Sequence, residues 1–208
     1  MKTFRSFIVL ALLGLFFTAC SDNVDENNLY VFKGKSAYKF LESTEDLSNY
    51  AYLLSRVQIS KKSPSRFSEL LSARGNYTVF APTNEALQTF LDSVYNTKNF
   101  DITQTEDTIA DFIVRNSIID NGESNAYLST QFNVGTLDKA NMNDRYLQVS
   151  FDNDTVTGKA TIIINNKSRL VSEDNEVSNG YVHSIDRVID MSNASLPDLI
   201  KQTPNLRI

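Results

Sequence analysis

Residues 77–87, YTVFAPTNEAL, change from strand chemistry to helix chemistry within three positions. Tyr77, Val79 and Phe80 are strand formers, and Pro82 ends a ladder because it has no N–H to donate. Thr83 follows as a helix cap whose hydroxyl can accept from a free N–H of the first turn, and Glu85 adds negative charge where the helix dipole favours it. Leu87, Phe90, Leu91 and Val94 then recur at i, i+3, i+4 and i+7, which makes one helical face apolar. A strand that runs straight into an amphipathic helix commits the chain to sheet and helix sharing a core.

The flanking sequence extends that pattern. Ser43 or Thr44 is expected to cap a helix carrying Leu47, Tyr50, Ala51, Leu54 and Val57 on one face. Ser63-Pro64 is expected to open a second, with Phe67, Leu70 and Leu71 inward and Gly75 past its end. After the polar stretch 96–105, residues 106–116 are expected to form another helix burying Ile109, Phe112 and Ile113. Beyond Asn121-Gly122 the period becomes alternating. Leu147, Val149 and Phe151 point one way in a strand, residues 152–158 have turn chemistry, and strands follow at 160–164 and 168–172 around the tight turn 165–167. Glu173, Asp174 and Glu176 are expected in a solvated loop before a final strand. The predicted class is α+β, a compact β-sandwich with helices packed against it.

That final strand lies in a second distinctive string, NGYVHSIDRVI at residues 179–189. Together the two strings resemble the signatures that bracket a fasciclin-like domain, here over residues 36–190. The resemblance implies a fasciclin-like fold and makes Thr78, Val79, Phe80, Ala81, Pro82, Thr83, Asn84 and Glu85 structural, together with Asn179, Gly180, His183, Ile185, Asp186, Arg187 and Val188. It also implies that the signature histidine is architectural. In animal members a Tyr-His pair linked to receptor binding follows the helix matching 106–116. Here Arg115-Asn116 stand in that place and there is no Arg-Gly-Asp triplet, so receptor binding of that type is not carried over.

The N-terminus has the form of an export signal over residues 1–19. Lys2 and Arg5 precede an apolar run, 7–17, that is too short for a span, which takes about 20 residues. Thr18-Ala19-Cys20 resembles a bacterial lipobox, with Phe17 where leucine is usual, and this implies that Cys20 is the lipid attachment site. Several acyl chains anchor stably where one is marginal. Residues 20–35, rich in Asn, Asp and Glu, are expected to be a disordered tether, and the localisation expected is the cell envelope, the outer membrane in particular. Residues 191–208 are either a tail packed on the domain or the opening of a further repeat.

The chemistry that composition excludes is equally informative. The formal charge is −5, and loss of the two cations Lys2 and Arg5 takes it to −7, so nucleic acid is not an expected partner. One cysteine forbids an internal disulfide. One histidine, His183, forbids a histidine metal cluster, and its place in an alternating strand favours a hydrogen-bonded structural role over a general base. Asp186 and Arg187 are expected to have separate partners because neighbours on a strand face opposite sides. Asp152-Asn153-Asp154 begins like a calcium loop, but the later ligand positions fail, which leaves a hairpin connection and no metal site. No cofactor is expected. The function expected is a non-catalytic, lipid-anchored binding or adhesion module recognising a surface protein or glycan. The alternative is an accessory lipoprotein of an outer-membrane nutrient importer, with a transporter as partner. An enzyme acting on glycosides would need two facing acids about 5–9.5 Å apart.

Overall fold

The computed structural model describes residues 34–153 and 160–190 of the 208. Helix α1, Ala37–Ser43, opens the body, with the Ser36 hydroxyl accepting from Lys39 N–H. Thr44 caps nothing with its side chain, because its hydroxyl turns back to the Phe40 carbonyl. A 3-10 turn, Glu45–Leu47, therefore intervenes before α2, Ser48–Arg56, which buries Tyr50, Ala51, Leu53 and Leu54.

The helix expected from Pro64 shrinks to one turn, α3, Phe67–Leu70, with Arg66 before it. Residues 57–67 instead double back as extended chain. Gln58 bridges Arg66 antiparallel, Ile59 N–H donates to Ser65 O at 2.9 Å and Phe67 N–H to Val57 O at 3.0 Å. Those bonds hold the backbone groups out of helical register, and they outweigh the preference of Pro64 for a first turn.

Strand β1, Tyr77–Pro82, is buried along its whole length. It is followed by α4, Asn84–Val94, and by α5, Asp107–Asn116, with Ala110, Ile113 and Val114 inward while Ile109 and Phe112 are only partly buried. Two strands that alternation does not announce come next, β2, Ile118–Asp120, and β3, Gly135–Ala140. The rest are β4, Tyr146–Asn153, β5, Ala160–Ile164, β6, Ser168–Val177, and β7, Gly180–Ile185. Asn165 and Asn166, at φ 50° and 56°, make the tight β5–β6 turn. Both are in the left-handed region that asparagine tolerates, and Lys167 N–H closes the three-residue connection by donating to Ile164 O at 3.1 Å.

These strands form one seven-stranded sheet in the order β2-β1-β7-β6-β5-β4-β3, not the expected sandwich of two sheets. The reason is β7, which pairs parallel with β1 and antiparallel with β6 and so fuses what would be two sheets. The sheet curls until its edges meet, where Met142 N–H, just past β3, donates to Ile118 O on β2 at 2.9 Å. Near closure satisfies edges that would otherwise stay open.

Two cores follow. Val79 and Ala81 of β1 pack with Leu41, Leu54, Phe67, Leu87 and Ile113 of the helical layer. Phe80 faces the other way, into the curl of the sheet, with Phe132, Leu147, Ile164 and Ile185. Strand β1 is thus covered on both faces, which is why its sequence is continuously buried and not alternating.

Candidate functional site

The two signature strings lie side by side. Tyr77 is opposite Gly180, Phe80 opposite His183 and Pro82 opposite Ile185, all in parallel register. Gly180 makes this possible. Its φ is +139°, and a β-carbon there would sit 1.9 Å from the Tyr77 carbonyl oxygen, a backbone atom that cannot swing away. Only hydrogen fits.

The signature polar residues are brackets between elements. Buried Asn179 accepts from Ala37 N–H at 2.8 Å and donates to the Leu71 and Ala73 carbonyls at 2.9 and 2.8 Å, tying α1 and the end of α3 to the start of β7. Asn84 accepts from Asn49 N–H at 3.0 Å and donates to Glu45 O at 2.9 Å, so it joins the start of α4 to α2 and does more than open its own helix. Thr83 caps α4 through Ala86 N–H, as its position implied. Thr78, fully buried, donates to Asn121 Oδ1 at 3.0 Å and accepts from Tyr127 N–H at 2.8 Å.

His183 is walled in. It is 0 % exposed and lies 5.6 Å from the ring centroids of both Phe80 and Phe132. Asp174 N–H donates to Nδ1 at 3.2 Å, so the ring proton sits on Nε2 and is donated to Tyr127 O at 2.9 Å. Burial pulls its pKa down to about 4, against the weaker opposing pull of the Asp174 carboxylate. At neutral pH the ring is uncharged, and both nitrogens are occupied.

Asp174 departs from its expected place in a solvated loop. It belongs to β6, at φ 56° in an irregularity between Ser172 and Asn175, and its carboxylate accepts from the N–H and hydroxyl of Ser129. The sequence reading passed over Tyr127 and Ser129 and assigned Asp174 to solvent. The one signal for them was the pair Asp174-Asn175, residue types that accept a left-handed backbone.

Beyond the C-terminal ends of β1 and β7 lies an open cleft of about 710 Å³. Glu85, Thr89 and Phe90 of α4 form one wall, and Val171, Asp186 and Arg187 contribute to the other. Asp186 turns inward to bond Arg169, accepting its N–H at 2.8 Å, while Arg187 is exposed and Val188 is buried in the helical core. Asp186 and Arg187 therefore do not pair. Val171 is 58 % exposed and is the one large exposed apolar side chain of the described residues that lines this cleft. No described Asp or Glu is buried, so the described residues do not build the pair of facing buried acids that glycosidic chemistry would need. Among the described residues no group of three or more His, Cys, Asp or Glu side chains is placed to hold a metal ion, and no helix is long and apolar enough to cross a membrane. Cys20, the tether up to residue 33 and residues 191–208 lie outside the described residues, whereas Lys35, at the end of the expected tether, accepts from Ser178 N–H at 2.9 Å and so belongs to the body.

Strand-paired signatures, a curled seven-stranded sheet and a helical layer over β1 define an α+β scaffold whose sole histidine serves as a strut. The Fasciclin domain model matches residues 48–191, and the chain belongs to that family. Among solved structures it is similar to the FAS1 domain pair of the insect cell adhesion molecule fasciclin I, with 19 % identity and a TM-score of 0.53. The match covers 76 % of this chain and 51 % of that one, so this chain spans about half the length of the insect pair. No curated protein matches.

Proposed function

We propose that the chain is a lipid-anchored recognition module of the cell envelope, held in the outer membrane through Cys20, that binds a surface protein or a glycan without catalysis. The observation that carries this is the contrast between a histidine spent inside the core and an open cleft at the ends of the signature strands. The cleft offers what recognition uses: an exposed cation at Arg187, an exposed anion at Glu85 and an apolar contact at Val171. Family membership supports a binding role, and the lipobox at Cys20 supports the anchor.

The test is recovery of partners from detergent-solubilised envelope with the full-length chain, alongside a glycan array. The expected result is a defined partner or glycan that Val171→Asp with Arg187→Glu abolishes while the fold melts unchanged. A blank array together with an empty recovery contradicts it. Recovery of an outer-membrane transport barrel would turn the assignment to the importer-accessory alternative.

A further inference from the structure

A second depression, of about 840 Å³, lies between the end of α2, the doubled-back chain of residues 57–67 and α5. Arg56, Lys61, Arg66 and Arg115 line it against two carboxylates, Asp107 and Asp111. In a chain of net charge −5 this is a local reversal of sign.

The arginines are fixed by the fold. Arg66 Nη1 donates to the Ser55 and Arg56 carbonyls at 3.0 and 2.8 Å, at the negative end of α2. Arg115 donates from Nε to Asp111 at 2.7 Å and from Nη2 to the Gln58 and Ile59 carbonyls at 3.1 and 2.9 Å, with its guanidinium 5.0 Å from the Phe67 ring centroid. Arg56 Nη2 bonds Thr105 O at 2.9 Å and Asp107 at 2.8 Å.

A guanidinium has five N–H donors. These bonds leave Arg115 Nη1 and Arg66 Nη2 without a partner among the described residues, and the Lys61 ammonium likewise. The two carboxylates are the more exposed partners, Asp107 at 94 % and Asp111 at 44 %, against 24 % and 21 % for Arg56 and Arg115, and four cations face two anions. Water screens the Asp107 carboxylate more than the half-sunk guanidiniums, and the groove keeps a positive field.

We propose that this groove, separate from the cleft at the ends of β1 and β7, binds the acid groups of an anionic glycan, carboxylated or sulfated, as a second site of the recognition module. An oxyanion fits the Nε–Nη2 edge of Arg66, which the bonds from Nη1 leave open, and the arginines are already ordered, so little further ordering is needed on binding. Gln58, Ser60 and Thr108 add amide and hydroxyl groups that suit sugar hydroxyls, and the volume is that of a small-ligand site. None of the exposed large apolar side chains, Val94, Val134, Tyr146 and Val171, lines the groove, which disfavours insertion into lipid. The negative chain as a whole disfavours a long phosphate backbone.

The test uses the full-length chain in detergent with polygalacturonate, dextran sulfate and neutral dextran as probes. Both acidic polymers are expected to bind, neutral dextran not, and added NaCl to weaken binding. Lys61→Glu, at an exposed side chain outside the packing, should lower affinity about threefold or more without changing the melting temperature. Arg66→Lys, which keeps charge and loses the open Nε–Nη2 edge, should weaken binding as well. A galacturonate trimer should displace dextran sulfate at lower concentration than glycerol phosphate, a soluble stand-in for a lipid headgroup. Equal binding of neutral dextran, an unaffected Lys61→Glu, or the reverse order of displacement overturns the proposal. If the acidic polymers fail while an envelope partner is still recovered, the groove inference falls and the recognition module stands; failure of both removes both.

Discussion

The two sides of β1 are built by different means. Toward the helices, Val79 and Ala81 meet Leu41, Leu54, Phe67 and Leu87, a layer in which shape and buried apolar area dominate and Tyr50 carries one hydrogen-bonded hydroxyl. Inside the curl of the sheet, Phe80 shares the space with His183, and a directional network of Thr78, Asn121, Tyr127 and Asp174 surrounds them. The first side tolerates exchange among apolar residues of similar volume. The second requires each partner, because a buried polar group left unpaired costs about 1–3 kcal/mol.

The largest effect should come from the seam that both sides share. Gly180→Ala drives a β-carbon into the Tyr77 carbonyl and imposes an unfavourable φ, so a loss of about 4 kcal/mol or more, or failure to fold, is expected in chemical denaturation. Asn179→Ala strands the Ala37 N–H and the Ala73 carbonyl, while the Leu71 carbonyl keeps Tyr38 N–H at 3.2 Å, and should cost about 2–3 kcal/mol by the same measurement.

Acid should separate the two sides. His183 is neutral in the native state, with a pKa of about 4 against an ordinary 6.5. Below pH 6.5 the unfolded chain takes up a proton that the native chain refuses, so stability falls as pH drops from 6.5 to 4 and this contribution levels off below 4. The loss is about 3 kcal/mol in all. Asp92 and Asp101, held below the usual carboxylate range by hydrogen bonds from Phe100 and Thr103, lose their contribution at lower pH still. His183→Gln should be less stable at pH 7 and flat across that window. On the helical side, Tyr50→Phe removes the bond to Ser117 Oγ at 2.5 Å and should cost about 1 kcal/mol with no change in the pH profile.

How far the sequence revealed this depended on the locality of the cause. Thr83 capping α4 and the Asn165-Asn166 turn follow from neighbouring residues alone, and both stand where expected. Helix α3 did not, because the pairing of Gln58 with Arg66 overrides a local proline preference. Strands β2 and β3 are short or irregular, with β3 mostly exposed, so neither carries the alternation that announced β4. Without them the edges of the sheet were invisible, and a sandwich was the natural expectation. At the site, His183 stood out as the sole histidine, but its partners Tyr127 and Asp174 come from separate segments and share no motif with it. The basic groove was hidden for the same reason, since Arg66 and Arg115 are brought together by the fold.

The central claim is that the signature histidine holds the fold and takes no part in chemistry. The most direct test is an NMR titration of the His183 ring in the intact protein. A neutral Nε2–H tautomer that persists from pH 7 down to about 4 is the predicted result. A ring that titrates near 6.5, with solvent-accessible nitrogens, would contradict it.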